Sequence, residues 1–513
     1  MASKTAAGKI LHNSFWYGLE AVLETVAFLG TSIAVARYLG PEKLGYFSYI
    51  NFFVMIVNRT SGTGLASATR KYMSEFLAQD QPGIACAVYH FAYRYQLIGA
   101  IAVTALGLVG VAIFGDPSYR LMTVILILSI VPGMMSWVPA QANQAFEDTS
   151  KNTWSAFGYI LSYAFVIFLS VHYLWGLVGI AAASLIGRSV EVVWRTLPLH
   201  AELRKIPVSP LPEELRQRIR RFCLQAIGIQ IITSIVWDRS EMFLLRAFSG
   251  LQQIAFYSIS FGLANNLLLI PRIFGAATGI TLMVESTRDP RRIDGIVKNA
   301  CRYLFLVVLP VHLGAAAITR QVIGLAYGRE YQAAVPVLIV ASILAIPRAF
   351  AEIPDVLFRA FERQNELLRW MIITGVLNIA LDFALIPHYG AIGAAWGNGL
   401  AQSFCVVALW IQARHICTFS WPTRAMVRIF ASALIMAIGA YAIGRVIPGV
   451  GGMVAAIAFG IPAYAILVKL FRGLESEDSI RLGLIAKMLP SVLSRPYLAV
   501  IAFVAPPSTA LVP

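Results

Sequence analysis

Apolar stretches of helix length follow one another along the whole chain, broken only by short polar or Gly/Pro-containing segments. Apolar character on every side, rather than on one stripe, marks helices surrounded by lipid. The first six predicted spans run over about 13–39, 44–69, 95–115, 118–144, 153–174 and 176–198. Six more cover about 222–248, 252–284, 300–319, 333–358, 367–387 and 391–413, and the last two about 425–447 and 451–471. The expectation is an all-α integral membrane protein of about 14 transmembrane helices. An even number places both termini on one side. The apolar stretch after the opening polar dozen residues shows no small-residue cleavage site and is expected to be a retained first span rather than a signal peptide. Residues 474–495 read as an amphipathic tail, and 497–513, with Pro506, Pro507 and Pro513, as too short and broken to span.

The chain repeats itself. At a shift of 210, ARYLGPEKLGYFSY (36–49) lies over RAFSGLQQIAFYSI (246–259), pairing Gly40 with Gly250 and Ser48 with Ser258. A shift of 215 superposes Ala145-Phe146-Glu147 on Ala360-Phe361-Glu362, and a shift of 214 aligns GLVGIAAA (176–183) with GAIGAAWG (390–397). The repeat predicts an N-lobe at 1–199 (helices 1–6), a cytoplasmic link at 200–221 and a C-lobe at 222–416 (helices 7–12). Helices 13–14 then fall within 417–473 and a tail within 474–513. Six helices per lobe is even, so the lobes share one orientation and are related by a pseudo-twofold along the membrane normal. A central cleft between such lobes suits a transporter better than a channel or a scaffold.

Composition narrows the function. The 513 residues are 58% hydrophobic and only 13% charged, which leaves no stretch large enough for a soluble catalytic head. Lys and Arg number 41 against 26 Asp and Glu, a net charge of +15. With a cytoplasmic amino terminus, about 29 basic residues fall on the cytoplasmic side, about 7 opposite and 5 at membrane depth. The runs at 213–221 (EELRQRIRR) and 287–302 could each form a basic surface helix meeting anionic headgroups. The positive charge is thus topogenic, and no nucleic-acid partner is expected. Five cysteines form no C-x-x-C pair and seven histidines no ligand set, so no metal or other cofactor is expected. The G-x-x-x-x-G-K-[ST], H-E-x-x-H and G-x-S-x-G motifs are absent, and the chain reads as a non-enzyme.

Charges at membrane depth are the candidate chemistry, because each costs roughly 2.5–3.5 kcal/mol on insertion scales. Arg59 lies past the middle of helix 2 and Arg272 past the middle of helix 8, about one turn from its repeat equivalent. One arginine in each lobe fits an anion with several oxygens, since each guanidinium fork can grip phosphate bidentately. The alternative is that each pairs with a carboxylate of its own lobe. Asn51, Asn58, Asn265 and Asn266 fit a hydrated cavity nearby. Arg348, Glu352, Asp355 and Arg359 fall on one stripe of helix 10, either as internal ion pairs or as a charge-compensated cavity wall. Glu20 with Glu24 in helix 1 and Asp238-Arg239 with Glu241 in helix 7 are candidates for coupling to protons or ions. Gly275-x-x-x-Gly279 and Gly393-x-x-x-Gly397 read mainly as close helix packing, and Ile270-Pro271-Arg272 as a bend.

Two stretches carry a family resemblance. NSFWYGLEAVLETVAFLGTSIAVARYLGPEKLGYFSY with GLASATRKYMSEF, and the later ALIPHYGAIGAAWGNGLA, resemble the bacterial polysaccharide-transport flippases of the multidrug/oligosaccharidyl-lipid/polysaccharide (MOP) exporter superfamily. The resemblance covers about residues 10–472. It implies a flippase that moves undecaprenyl-pyrophosphate-linked repeat units from the cytoplasmic to the periplasmic leaflet by alternating access, for O-antigen, exopolysaccharide or capsule. It also implies a bacterial inner-membrane location, with membrane lipids, a polysaccharide polymerase and chain-length machinery as partners. The rivals are a lipid II flippase for peptidoglycan and a cation-coupled multidrug antiporter of the same superfamily. The family motifs do not overlap Arg59 or Arg272, whose assignment rests on depth and repeat.

Overall fold

The computed structural model describes residues 6–237, 241–486 and 491–505, and the described residues are helices and short connections without a strand. The first half contains α1 (Ala6–Ala78), α2 (Pro82–Phe114), α3 (Arg120–Leu128), α4 (Ile130–Met135), α5 (Trp137–Ala145), α6 (Ser150–His172), α7 (Gly176–Leu203) and α8 (Glu213–Trp237). Then come α9 (Glu241–Phe248), α10 (Leu251–Leu267), α11 (Leu269–Arg288), α12 (Ile293–Ala317), α13 (Thr319–Val322), α14 (Ala334–Arg348) and α15 (Glu352–Ala360). The chain ends with α16 (Gln364–Ala413), α17 (Thr423–Val446), α18 (Gly449–Leu470), α19 (Ser476–Ala486) and α20 (Ser491–Val504).

Among the described residues ten helical segments are long and apolar enough to cross a membrane, or eleven when the bent pair α10–α11 counts as one. The expected fourteen is not reached by that measure. Part of the difference lies in two long helices that are each broken at a glycine. Gly40 (φ 73°), followed by Pro41, divides the 73-residue α1, and Gly390 (φ 55°) divides the 50-residue α16. In α16 the arms fold back on each other. A Cβ built at Gly397 would lie 2.5 Å from a carboxylate oxygen of Asp382, although fifteen residues of straight helix would separate them by about 22 Å. Isoleucine, leucine and phenylalanine side chains such as Ile101, Leu106, Phe165 and Phe168 are exposed on these helices, as expected when the solvent is hydrocarbon. The chain is a multi-pass membrane protein.

Each anchor of the sequence repeat is a left-handed backbone position. Gly40 and Gly250 have φ of 73° and 91°, Glu147 and Glu362 of 58° and 56°, and Gly176 and Gly390 of 63° and 55°. Side chains tolerate this region poorly, so the residues that make these turns are the ones both halves share.

Contacts group 1–246 with 250–255 as one compact unit, and 247–249 with 256–513 as the other. The first unit includes α8, which the repeat assigns to the second half. The polar link is also shorter than 200–221, because Glu213 and Glu214 start α8 and Leu215, Ile219 and Cys223 bury one face of its basic first turns. That face joins α1, α2, α5 and α7 in a core around Tyr72, Met73, Tyr89, Val138 and Leu199. Arg218 of α8 bonds Glu75 at 3.1 Å. Gly64 of α1 packs on the Cys223 carbonyl and Ile227.

In the second unit, α12 packs on α14 and α17, and Val468, Leu474, Leu482 and Val504 form a small core under the carboxy-terminal helices. The amphipathic tail is tied down by charge. Arg302 of α12, which the sequence places in a basic surface run, is buried and bonds Asp478 at 2.8 Å and Glu475 at 2.7 Å. Tyr303 donates to the other Asp478 oxygen at 2.8 Å.

Candidate functional site

The second unit carries a polar site on a bent span. Pro271 has no N–H to offer the carbonyl of Leu267, so the helix breaks at Leu268 and α10 meets α11 at 41°. The bend presents Arg272, which is exposed and donates from Nη2 to Asn265 Oδ1 at 2.7 Å. Asn265 in turn lines a cavity of about 30 Å³ together with Arg348, Asn398 and Gln402. That volume holds about two waters. Gln402 donates to Asn398 at 2.8 Å, and both are buried.

The four-charge stripe expected on one helix is split over two. Pro354 cannot donate to the Phe350 carbonyl, which accepts the Trp410 indole N–H at 3.2 Å instead, and the chain turns at Ala349–Ala351. Arg348 therefore ends α14, whereas Glu352, Asp355 and Arg359 belong to α15. Arg359 forms a two-point pair with Asp355, at 3.0 Å from Nε and 3.2 Å from Nη2. Glu352 lies against Gly275 of α11, where a built Cβ would come within 2.6 Å of its own Cβ, and faces Arg272, Arg348 and Arg359. Gly279 packs in the same way on Val356. The small-residue motif thus brings α15 and its carboxylate onto the arginine-bearing helix.

In the first unit, Arg59 is half-buried on the second arm of α1, and its carbonyl accepts from Thr63 Oγ1. Beside it, Gly62 packs on Trp137 and Asn58 packs on Gly133. Asn58 Oδ1 is buried without a hydrogen-bond partner. Glu241 is fully buried in the first turn of α9, and Asp238 and Arg239 lie outside the described residues.

A second charged constellation escapes the sequence reading. On α7, Glu191 bridges Arg188 (2.7 Å) and Arg195 (3.0 Å). Arg195 also donates to Ser155 Oγ at 2.9 Å and the Ser136 carbonyl at 3.3 Å, and comes within 3.9 Å of Glu20. Arg188 stacks over the Tyr159 ring at 4.5 Å. Glu24 faces the same group from the next turn of α1. The i, i+3, i+7 spacing of Arg188, Glu191 and Arg195 was the available signal, hidden because these charges sit near the polar end of a span. Among the described residues no group of three metal-ligating side chains occurs.

Comparison with known proteins follows the same lines. The family model described as "Polysaccharide biosynthesis protein" matches residues 34–336, more than half of the chain. The probable low-salt glycan biosynthesis flippase Agl15 of Haloferax volcanii is 23% identical over 427 residues, which cover 79% of this chain and 82% of that protein. Among solved structures, the lipid II flippase MurJ in an inward closed conformation matches with a TM-score of 0.70 at 16% identity, over 90% of this chain and 98% of that one. An inward-facing multidrug resistance MATE family transporter of the MOP superfamily matches with a TM-score of 0.64 at 16% identity, over 76% and 94%. The chain therefore belongs to the polysaccharide biosynthesis protein family and has the MurJ/MATE-like fold of MOP-superfamily membrane transporters.

Proposed function

We propose that the chain is a lipid-linked oligosaccharide flippase that moves undecaprenyl-pyrophosphate-linked repeat units across a bacterial inner membrane for polysaccharide assembly. The observation that carries the reading is Arg272. Its guanidinium is exposed at membrane depth on a proline bend, oriented by Asn265 beside a polar cavity. A planar cation held in this way suits a phosphate oxygen pair better than a cationic drug. Arg59, half-buried in the first unit, is a second candidate phosphate ligand on the strength of its depth in the sequence. The skew of 41 basic residues toward one face supports cytoplasmic termini. The family match and the glycan flippase relative support a glycan-lipid cargo; on this reading a polymerase and chain-length machinery receive it.

Replacing Arg59 and Arg272 singly with Ala tests the assignment. Charge-assisted hydrogen bonds contribute about 1.5–3 kcal/mol, so repeat-unit delivery to the periplasm should fall about 10- to 100-fold at unchanged protein level. Normal delivery in both variants removes the arginines from the mechanism. Lipid II is the second reading, favoured by the MurJ fold match over 90% of the chain. Complementation of a strain lacking its lipid II flippase separates the two.

A further inference from the structure

The Glu20, Glu24, Arg188, Glu191 and Arg195 cluster of the first unit has one more carboxylate than it has guanidiniums. Glu191 is fully used, with one oxygen to each arginine, at 2.7 and 3.0 Å. Arg195 is buried and spends its remaining donors on Ser155, Ser136 and, at 3.9 Å, Glu20. Glu20 and Glu24 are one turn apart on α1; both face Arg195, and Glu24 also faces Arg188. The other titratable group facing Glu24 is Tyr159 of α6, and α4 and α5 carry no charged residue at all. Fully ionised, the cluster holds three negative charges against two positive ones inside a membrane span, where an unbalanced charge is expensive.

We propose that the Glu20/Glu24 pair is a proton-binding site that holds one exchangeable proton, taken up from water at Glu24. The step is a simple protonation: one carboxylate becomes a carboxylic acid, and the cluster becomes neutral. Glu24 is on the exposed side and Glu20 is half-buried, which gives the proton a way in and a place to be shared. Any use of this proton to drive or gate transport rests on the flippase reading, whereas the site itself does not.

Infrared difference spectroscopy of the full-length protein in lipid, perfused at stepped pH without substrate, reads the site directly. The wild type should show a high-frequency carboxylic-acid C=O band that titrates. Either Glu20→Gln or Glu24→Gln leaves two carboxylates against two guanidiniums, so each single variant should lose that band. Arg188→Gln leaves three against one, so the band should grow about twofold. Glu24 is exposed and Arg188 half-buried, and variants there leave both partners of the buried Glu191–Arg195 contact in place. A band unchanged in Glu24→Gln and Arg188→Gln overturns the proposal. Because no cargo is present, failure here leaves the flippase reading standing, and a failed flipping assay leaves the proton site standing.

Discussion

The two units place their charges at different points of one repeated scaffold. In the first, Arg188, Glu191 and Arg195 sit on α7; at the shift of 214 their second-unit counterparts are Gln402, Cys405 and Leu409. In the second, Glu352 of α15 carries the charge; at the shift of 215 its first-unit counterpart is Trp137. In each unit a glycine of a neighbouring helix packs on that position, Gly62 on the Trp137 ring in one and Gly275 on the Glu352 Cβ in the other. The position is packed against a glycine in both units and carries an indole in one and a carboxylate in the other. The first unit ties Arg188 and Arg195 into a bonded cluster, and the second leaves Arg272 exposed beside a cavity.

Breaking the closed side should have the largest effect. Glu191→Ala strands two arginines against each other inside a span, and loss of one partner from a buried ion network costs about 3–5 kcal/mol. The variant should accumulate poorly in membranes, as measured by yield and thermal unfolding in detergent. Glu352→Gln leaves packing unchanged and should alter protein level little. Unequal responses of these two sites sharpen the comparison, and equal ones break it.

Packing comes next. Gly275→Leu must push α15 off α11 to make room, an overpacking cost of about 1–3 kcal/mol. It should lower the unfolding temperature and, by displacing Glu352 from Arg272, also reduce delivery. Gly99, which has open space around it, is the control: Gly99→Ala should change neither.

The smallest effect lies at a turn shared by both halves. Burial pushes the Asp148 carboxyl up, but hydrogen bonds from Ser150 and Lys151 outweigh it and hold the group below its ordinary range. A carboxyl lowered in the folded state adds stability above its unfolded pKa and loses it as pH falls through the folded value. Asp148→Asn should therefore remove a small part of the acid sensitivity of thermal unfolding, a few tenths of a kcal/mol for so exposed a group.

Much of the architecture was legible because it rests on local rules. The apolar spans follow from composition, and the repeat is visible where left-handed turns restrict residue choice, at Gly40/Gly250 and Glu147/Glu362. The bend at Pro271 follows from a missing N–H. What the sequence could not show depends on packing between distant segments. The helical stripe at 348–359 assumed an unbroken helix, and the break is completed by Trp410, some sixty residues on. Arg302 looked like a topogenic surface charge until Asp478 and Glu475 came to it from the tail. The α7 cluster needed Glu20, Ser136 and Ser155 from three other segments before its balance could be counted. Arg59 and Arg272 are singled out by depth and repeat.

The central claim is that these two arginines recognise pyrophosphate, and affinity for a short-chain, water-soluble polyprenyl pyrophosphate tests it most directly. Titrated calorimetrically into the full-length protein, it should bind more tightly than the monophosphate of the same chain. Arg59→Ala and Arg272→Ala should each weaken it about tenfold or more, as expected for loss of a charge-assisted contact, while Glu477→Gln on the exposed face of α19 leaves it unchanged. Equal affinity of wild type and both arginine variants for the pyrophosphate would contradict the account.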